Sequence, residues 1–266
     1  MQITNLLKKP KSPYVYICGA GPGDPLLLTL KTHHLLTHIA DIVVYDRLIP
    51  EAIIDLIPDD VPKIYAGKSC RNHHMTQDEI NQCLVEQAAS GKVVVRLKGG
   101  DPFIFGRGGE EMLHLVQNNI PYEVVPGVNA ADGCAAYADI PLTHRGISRQ
   151  VVFLTGHQQK GSHSPIDYAS LAKPDQTLVI FMGVTQLEAI ITNLLGEGMD
   201  QDTPCAAISG GTTESEILFV APLKNFYQEV LAQELPAPTL IIIGQVVSLS
   251  DKVKQLCEQK NHSSNA

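Results

Sequence analysis

The 266-residue chain lacks most of what would mark an extended, secreted or membrane-spanning protein. Charged residues are scarce, at 18% against 44% apolar, which excludes a disordered chain or a coiled coil and leaves enough apolar side chains for a real core. Positive charge is in deficit. The formal net charge is −8, so bulk attraction to nucleic acid or to an anionic lipid surface is not expected. Any cations that grip an anionic ligand must be gathered locally. No apolar run approaches the roughly 20 residues that span a bilayer. The first residues, MQITNLLKKPKSP, carry no signal-peptide apolar core. The six cysteines (Cys18, Cys70, Cys83, Cys134, Cys205, Cys257) form no CxxC pair. That argues against a disulfide frame or zinc site and for reduced thiols in a cytoplasmic protein. No His/Cys/Asp spacing suggests a metal site, and no internal repeat is visible.

What is present is a succession of short β-branched runs. YVYIC (Tyr14–Cys18), IVVY (Ile42–Tyr45), VVVRL (Val93–Leu97), YEVV (Tyr122–Val125), VVFL (Val151–Leu154), TLVIF (Thr177–Phe181), CAAI (Cys205–Ile208) and TLIII (Thr239–Ile243) read as strands. Most do not alternate, as strands covered on both faces would not. Helical patterns separate them at 26–39, 76–89, 109–118, 186–195 and 223–232, and Thr76 with Glu79 forms a capping-box pattern. Alternation of this kind predicts an α/β fold with largely parallel strands. The stretch PGVNAADGCAAYADIPLTHRG marks a boundary, giving two α/β domains at 13–126 and 127–250 with a ligand cleft between them. The tail, 251–266, is expected to be partly disordered.

Two glycine-rich loops follow strands. CGAGPGDPLLLTL has Gly19 and Gly21, with Asp46 after the next strand, and so approaches a dinucleotide fingerprint. The third glycine position falls on Asp24, whose charge has the wrong sign for a pyrophosphate at a helix start. The loop therefore reads equally as a plain turn or a ligand loop. The second, KGGDPFIFGRGGEE, is richer. Gly99 and Gly100 give a ligand access to the backbone, Asp101 supplies a negative charge suited to a cation, and Lys98 and Arg107 flank it with positive charge. Ligands of open α/β sheets bind at such strand ends.

GAGPGDPLLLTLK, VVYDRL, AGKSCRNHHMTQDEINQ, VVRLKGGDPFIFGRGGEE, VVPGV and AYADIPLTHR occur in this order. Together they resemble the uroporphyrinogen-III C-methyltransferases of the tetrapyrrole methylase superfamily, over nearly the whole chain. The resemblance implies transfer of methyl groups from S-adenosylmethionine to C2 and C7 of uroporphyrinogen III, giving precorrin-2 by way of precorrin-1 for siroheme or cobalamin, with S-adenosylhomocysteine released and no metal. It assigns donor binding to Pro22, Gly99, Gly100, Asp101, Ile104, Asn129, Ala130, Met182 and Gly211, with asparagine at 129 where many relatives carry threonine. It makes Asp46 the proton acceptor and Lys68 the proton donor. Arg47, Lys98, Arg107 and Arg145 are expected to bind the carboxylates of the tetrapyrrole, with Arg71, Arg149, His73, His74 and His144 near them in the motifs. It further implies a cytoplasmic homodimer with a small-molecule substrate, and a chain without the dehydrogenase domain of fused siroheme synthases. One departure is Asp139, where relatives usually have glycine. Three rival readings are a methylase of a later precorrin, an NAD-binding oxidoreductase, which Asp24 opposes, and a silent regulator, which the retained Asp46, Lys68, Asp101 and Arg107 oppose.

Overall fold

The computed structural model describes residues 8–67, 75–156 and 166–263. The chain divides into two compact units, Met1–Asn129 and Ala130–Ala266. Each is built on one five-stranded sheet covered by helices, which is the expected α/β architecture.

The first unit holds β1 (Tyr14–Gly19), β2 (Ile42–Tyr45), β3 (Lys63–Tyr65), β4 (Val93–Lys98) and β5 (Tyr122–Val125). They are ordered β3-β2-β4-β1-β5, and every pairing is parallel. The connecting helices are α1 (Leu30–His34), α2 (Glu51–Ile54), α3 (Gln77–Ala89) and α4 (Gly108–Gln117). β4 lies at the centre and is buried along its whole length. Its side chains alternate. Val93, Val95 and Leu97 enter one apolar cluster with Leu35, Leu36 and Ile53, while Val94 enters the other with Ile80, Leu84 and Leu115. Arg96 and Lys98 share the face of Val94. Thr76 caps α3: its hydroxyl accepts from the Glu79 amide at 3.3 Å, and the Glu79 carboxylate accepts from the Thr76 amide at 2.6 Å. The predicted helix at 26–39 is broken into a short 3₁₀ turn, α1 and a π turn over Leu35–Ile39. Asp24 caps the 3₁₀ turn, accepting from the Leu26 amide at 2.7 Å.

The second unit holds α5 (Ala130–Tyr137), β6 (Gln150–Thr155), α6 (Tyr168–Leu171), β7 (Gln176–Phe181), α7 (Leu187–Gly196), β8 (Pro204–Ser209), β9 (Ile217–Pro222), α8 (Leu223–Ala232), β10 (Thr239–Ile243) and α9 (Ser248–Ser263). Its order is β6-β7-β10-β8-β9. Here the expectation of parallel strands is corrected: only β6 and β7 pair in parallel, while β10 runs antiparallel to β7 and β8, and β8 to β9. Apolar runs report burial and carry no strand direction, and the loop 210–216 is short enough for a hairpin. At the C-terminal end α9 continues to Ser263, and residues 264–266 of the expected tail lie outside the described residues. α9 begins against the core, with Val246 and Val247 buried just before it and the Ser250 hydroxyl donating to the Ala138 carbonyl at 2.8 Å, so the helix is anchored at its start. No helix among the described residues is long and apolar enough to cross a membrane.

Candidate functional site

In the first unit the two glycine loops meet at the C-terminal ends of β1 and β4. The Gly100 amide donates to the Gly21 carbonyl at 2.7 Å, and the Gly21 amide returns a bond to Gly100 at 3.2 Å. Gly21 and Gly100 both have positive φ, at 77° and 66°. A Cβ on Gly19 would lie 2.5 Å from the Gly100 carbonyl oxygen and 2.6 Å from Gly127 Cα, so three backbone segments pack here with no room for side chains. Pro22, beside Gly21, is half-buried. Asp101 closes the arrangement. Its Oδ1 accepts from the Phe103 amide at 2.8 Å and its Oδ2 from the Gly127 amide at 3.1 Å. The carboxylate expected to face a cation is thus first of all the tie between the β4 and β5 loops. Ile104 is half-buried, while Phe103 and Phe105 on either side are exposed.

Asp46 follows the last residue of β2, beside this loop. Its Oδ1 accepts from the Leu48 amide at 3.0 Å. Leu48 in turn leans on Gly99, where a Cβ would lie 2.8 Å from the Leu48 Cβ. The turn that carries the expected base therefore abuts the expected donor loop. Gly67, the last described residue before Lys68, packs there too, since a Cβ on it would lie 2.8 Å from the Arg47 amide. Lys68 itself, with Arg71, His73 and His74, lies outside the described residues, as does part of the motif around them.

Behind Asp46 is a group of charges that the motifs did not announce. Arg96 Nη2 reaches Asp46 Oδ2 at 3.3 Å, and Arg96 Nε reaches Glu111 Oε1 at 3.0 Å. Lys98 Nζ donates to the same Glu111 oxygen at 2.8 Å, and Gln77 at 3.3 Å. Lys98 departs from the expectation of an open cation: it is only 4% exposed, on a covered face of β4. Its pKa is pushed down, first by burial and then by Arg96, against the pull of Glu111. Arg47 and Arg107 are exposed. Arg107 forks onto Glu110, Nε to Oε1 and Nη2 to Oε2 both at 2.7 Å, from a left-handed φ of 58° at the start of α4. This pairing raises the guanidinium pKa and lowers that of Glu110.

Apart from Asn129, which ends the first unit, the second unit carries the remaining expected residues. Met182 follows β7 with a φ of 52° and a side chain 47% exposed, an apolar surface at a strand tip that suits an adenine wall. Gly156, after β6, lets that tip close in, because a Cβ on it would lie 2.6 Å from the Met182 carbonyl. Gly211 follows β8, is buried, and sits directly on the Cys134 sulfur of α5, leaving no space for a side chain. Burial pushes the Cys134 thiol up to about 12, with Glu216 adding to the shift. Thr212, at a φ of 65°, donates its amide to Glu216 at 2.7 Å. Ala130 opens α5 and is half-buried, as is Asn129 before it. Arg145 lies exposed in the turn after α5, where its carbonyl bonds His144 Nδ1 at 2.9 Å. Arg149 pairs with Asp175 at 2.6 Å on the surface. A cavity of about 760 Å³, lined by Thr155, Tyr168, Gln186, Asn193 and Glu197 among others, includes none of the expected residues. Among the described residues no group of His, Cys, Asp and Glu is placed to hold a metal ion.

Sequence reasoning missed Arg96, Glu111, Leu48, Gly156 and Cys134. Only the paired glutamates of GRGGEE gave a signal, and it did not say which of the two is buried.

Residues 14–227 match the family model described as Tetrapyrrole (Corrin/Porphyrin) Methylases. The siroheme synthase of Nitrosospira multiformis is 46% identical over 252 residues, 95% of this chain and 53% of that protein. That of Pseudomonas fluorescens is 50% identical over 240 residues, 90% of this chain and 51% of its own length. The chain thus spans about half the length of the curated relatives it matches. Among solved structures, the Thermus thermophilus uroporphyrin-III C-methyl transferase complexed with S-adenosylhomocysteine aligns with a TM-score of 0.74 and 38% identity, covering 88% of this chain and 93% of that one. A cobalt precorrin-4 methyltransferase aligns with a TM-score of 0.79 at 25% identity, covering 88% and 96%.

Proposed function

This chain belongs to the tetrapyrrole (corrin/porphyrin) methylases, a family of S-adenosylmethionine-dependent methyltransferases, and from that premise we propose that it methylates uroporphyrinogen III at C2 and C7, giving precorrin-2 through precorrin-1. The observation that carries this reading is the abutment of the Asp46 turn on the Gly99 loop through Leu48. It sets a carboxylate beside a half-buried glycine loop at parallel strand ends, where ligands of such sheets bind.

When bound, the sulfonium donor supplies an electrophilic methyl group. The backbone of Gly99 and Gly100, with Pro22, Asp101 and Ile104 around it, would hold the donor in the first unit. Asn129, Ala130, Met182 and Gly211 would hold it through the backbone and through the exposed Met182 side chain. A pyrrole carbon becomes a better nucleophile as its ring gives up a proton, so a base near the ring accelerates attack. Asp46, with 25% of its side chain exposed, is proposed to take that proton, and this exposure supports the role. Lys68 is proposed as the matching donor. Arg47, Arg107 and Arg145 offer exposed guanidinium groups for the peripheral carboxylates, to which their forks are matched. Lys98 contributes through Glu111 and not by direct contact. We place the protein in the cytoplasm as a homodimer with no nucleic-acid or membrane partner.

A later precorrin as acceptor is less well supported, because the cobalt precorrin-4 methyltransferase is less similar in sequence than the uroporphyrin-III enzyme. Purified protein incubated with S-adenosylmethionine and uroporphyrinogen III is expected to give a product heavier by two CH₂ units, with the red-shifted absorption of an isobacteriochlorin once oxidised. No mass change with this acceptor, beside methylation of another precorrin, would replace the proposed substrate.

A further inference from the structure

We propose that Arg96 and Glu111 are positioning residues that hold Asp46 in its working orientation, an inference that rests on the methyl-transfer reading above. Four ionisable side chains form one chain of contacts, Asp46–Arg96–Glu111–Lys98, at 3.3, 3.0 and 2.8 Å. Their formal charges alternate and cancel. Three of them are shut away, with side-chain exposures of 3% for Arg96, 0% for Glu111 and 5% for Lys98. Asp46 alone of the four meets solvent. The cluster is a buried stem with one exposed carboxylate at its tip.

Arg96 is matched to this task by shape. Its Nε serves Glu111, its Nη2 serves Asp46, and its Nη1 donates to the Leu97 carbonyl at 3.2 Å. A planar fork can serve several acceptors in fixed directions, and a lysine ammonium cannot. With Arg96 on Oδ2 and the Leu48 amide on Oδ1, both oxygens of Asp46 are oriented. Glu111 keeps the fork in place from the first turn of α4, where a helix start favours a carboxylate. Among the described residues its three donors all converge on Oε1, and Oε2 is buried with no hydrogen-bond partner among them. A buried carboxylate oxygen left so is uncommon, and a place beside reacting groups is one recognised reason for it. Its neighbour Glu110 is exposed and pairs with Arg107, so the adjacent glutamates have separate duties.

The test compares Arg96→Lys and Glu111→Gln with wild type. Donor sites are counted by titration calorimetry with S-adenosylhomocysteine, and kcat with uroporphyrinogen III is expressed per counted site. We expect kcat per site to fall about tenfold or more in both variants, as misplacement of a reacting group by an ångström can do. The S-adenosylhomocysteine Kd and the KM for uroporphyrinogen III should stay within about threefold. A purely structural role would lower the number of sites and the melting temperature while leaving kcat per site unchanged, and that result overturns the proposal. Should Glu111→Gln fail to fold, Arg96→Lys, which keeps the charge, decides alone. A wild-type protein that methylates no tetrapyrrole overturns the reading of function together with the inference, whereas active wild type beside unimpaired variants overturns the inference only.

Discussion

The two units solve the problem of a five-stranded sheet differently. The first sheet is wholly parallel, and its unit buries Arg96 and Lys98 on β4 and Glu111 on α4. The second is mixed, and among the described residues it buries polar side chains that are all uncharged, such as Ser148, Gln176, Thr177 and Ser209. Buried charge is costly unless paired, and breaking such a pair is worth about 3–5 kcal/mol. The first unit thus carries a cost that the second avoids. In return it presents an oriented carboxylate at a strand end. The second unit presents backbone and an apolar side chain, at Gly211 and Met182, and needs no ions for that. We read this as a division of labour: proton chemistry in the first unit, shape in the second.

The comparison can be broken at its charged end first. Asp46→Asn keeps the shape of the turn and removes the base. We expect a loss of about 10²–10⁴-fold in kcat, as for a missing general base, with S-adenosylhomocysteine binding unchanged by calorimetry. A full-speed variant would move the proton chemistry elsewhere. In the second unit, Gly211→Ala forces a methyl group onto the Cys134 sulfur. Overpacking of this kind costs about 1–3 kcal/mol. Urea unfolding should show that loss, and the double variant Gly211→Ala/Cys134→Ala should recover a good part of it. No recovery would mean that the backbone at 211, and not the space, is limiting.

Two smaller effects sharpen the contrast. The Lys98 pKa is depressed in the folded state by burial and by Arg96. Between its folded and unfolded values the unfolded chain binds more protons, so this group makes stability rise with pH across that window, below its ordinary alkaline value. Wild-type stability minus that of Lys98→Met, measured from neutral to alkaline pH, should therefore climb, and a flat difference would refute the burial effect. Asp139 offers a gain instead. It follows α5 with a φ of 56°, and the amides of Asp139 and Ile140 donate to Ala136 and Ala135 at 3.3 and 2.9 Å in a Schellman-type close. Glycine adopts that φ freely, so Asp139→Gly should stabilise the protein by about 0.5–1 kcal/mol in the same unfolding assay.

The apolar runs of β1, β2, β4, β7, β8 and β10 were legible because nearly all their residues are buried, whereas β5 and β6, partly covered edge strands, were legible from their β-branched residues alone. β3 and β9 were not, and both are edge strands in which most residues are only partly covered. The glycine loops announced a site because close backbone approach needs glycine, and Gly19, Gly99, Gly100 and Gly127 do pack that way. Arg96 stayed silent. It sits inside VVVRLK, its partner Asp46 is 50 residues away and Glu111 is 15 away, and no local pattern records such a pairing. The resemblance supplied roles for Asp46 and Met182 that their local sequence alone leaves open, and it passed over the charges that hold Asp46.

A crystal structure of the protein with S-adenosylhomocysteine bound tests the account most directly. We predict hydrogen bonds from the ligand to the Gly99–Gly100 backbone, with the sulfur facing the Asp46 turn. A ligand seated instead among Tyr168, Gln186 and Asn193, with the Gly99 loop untouched, would contradict it.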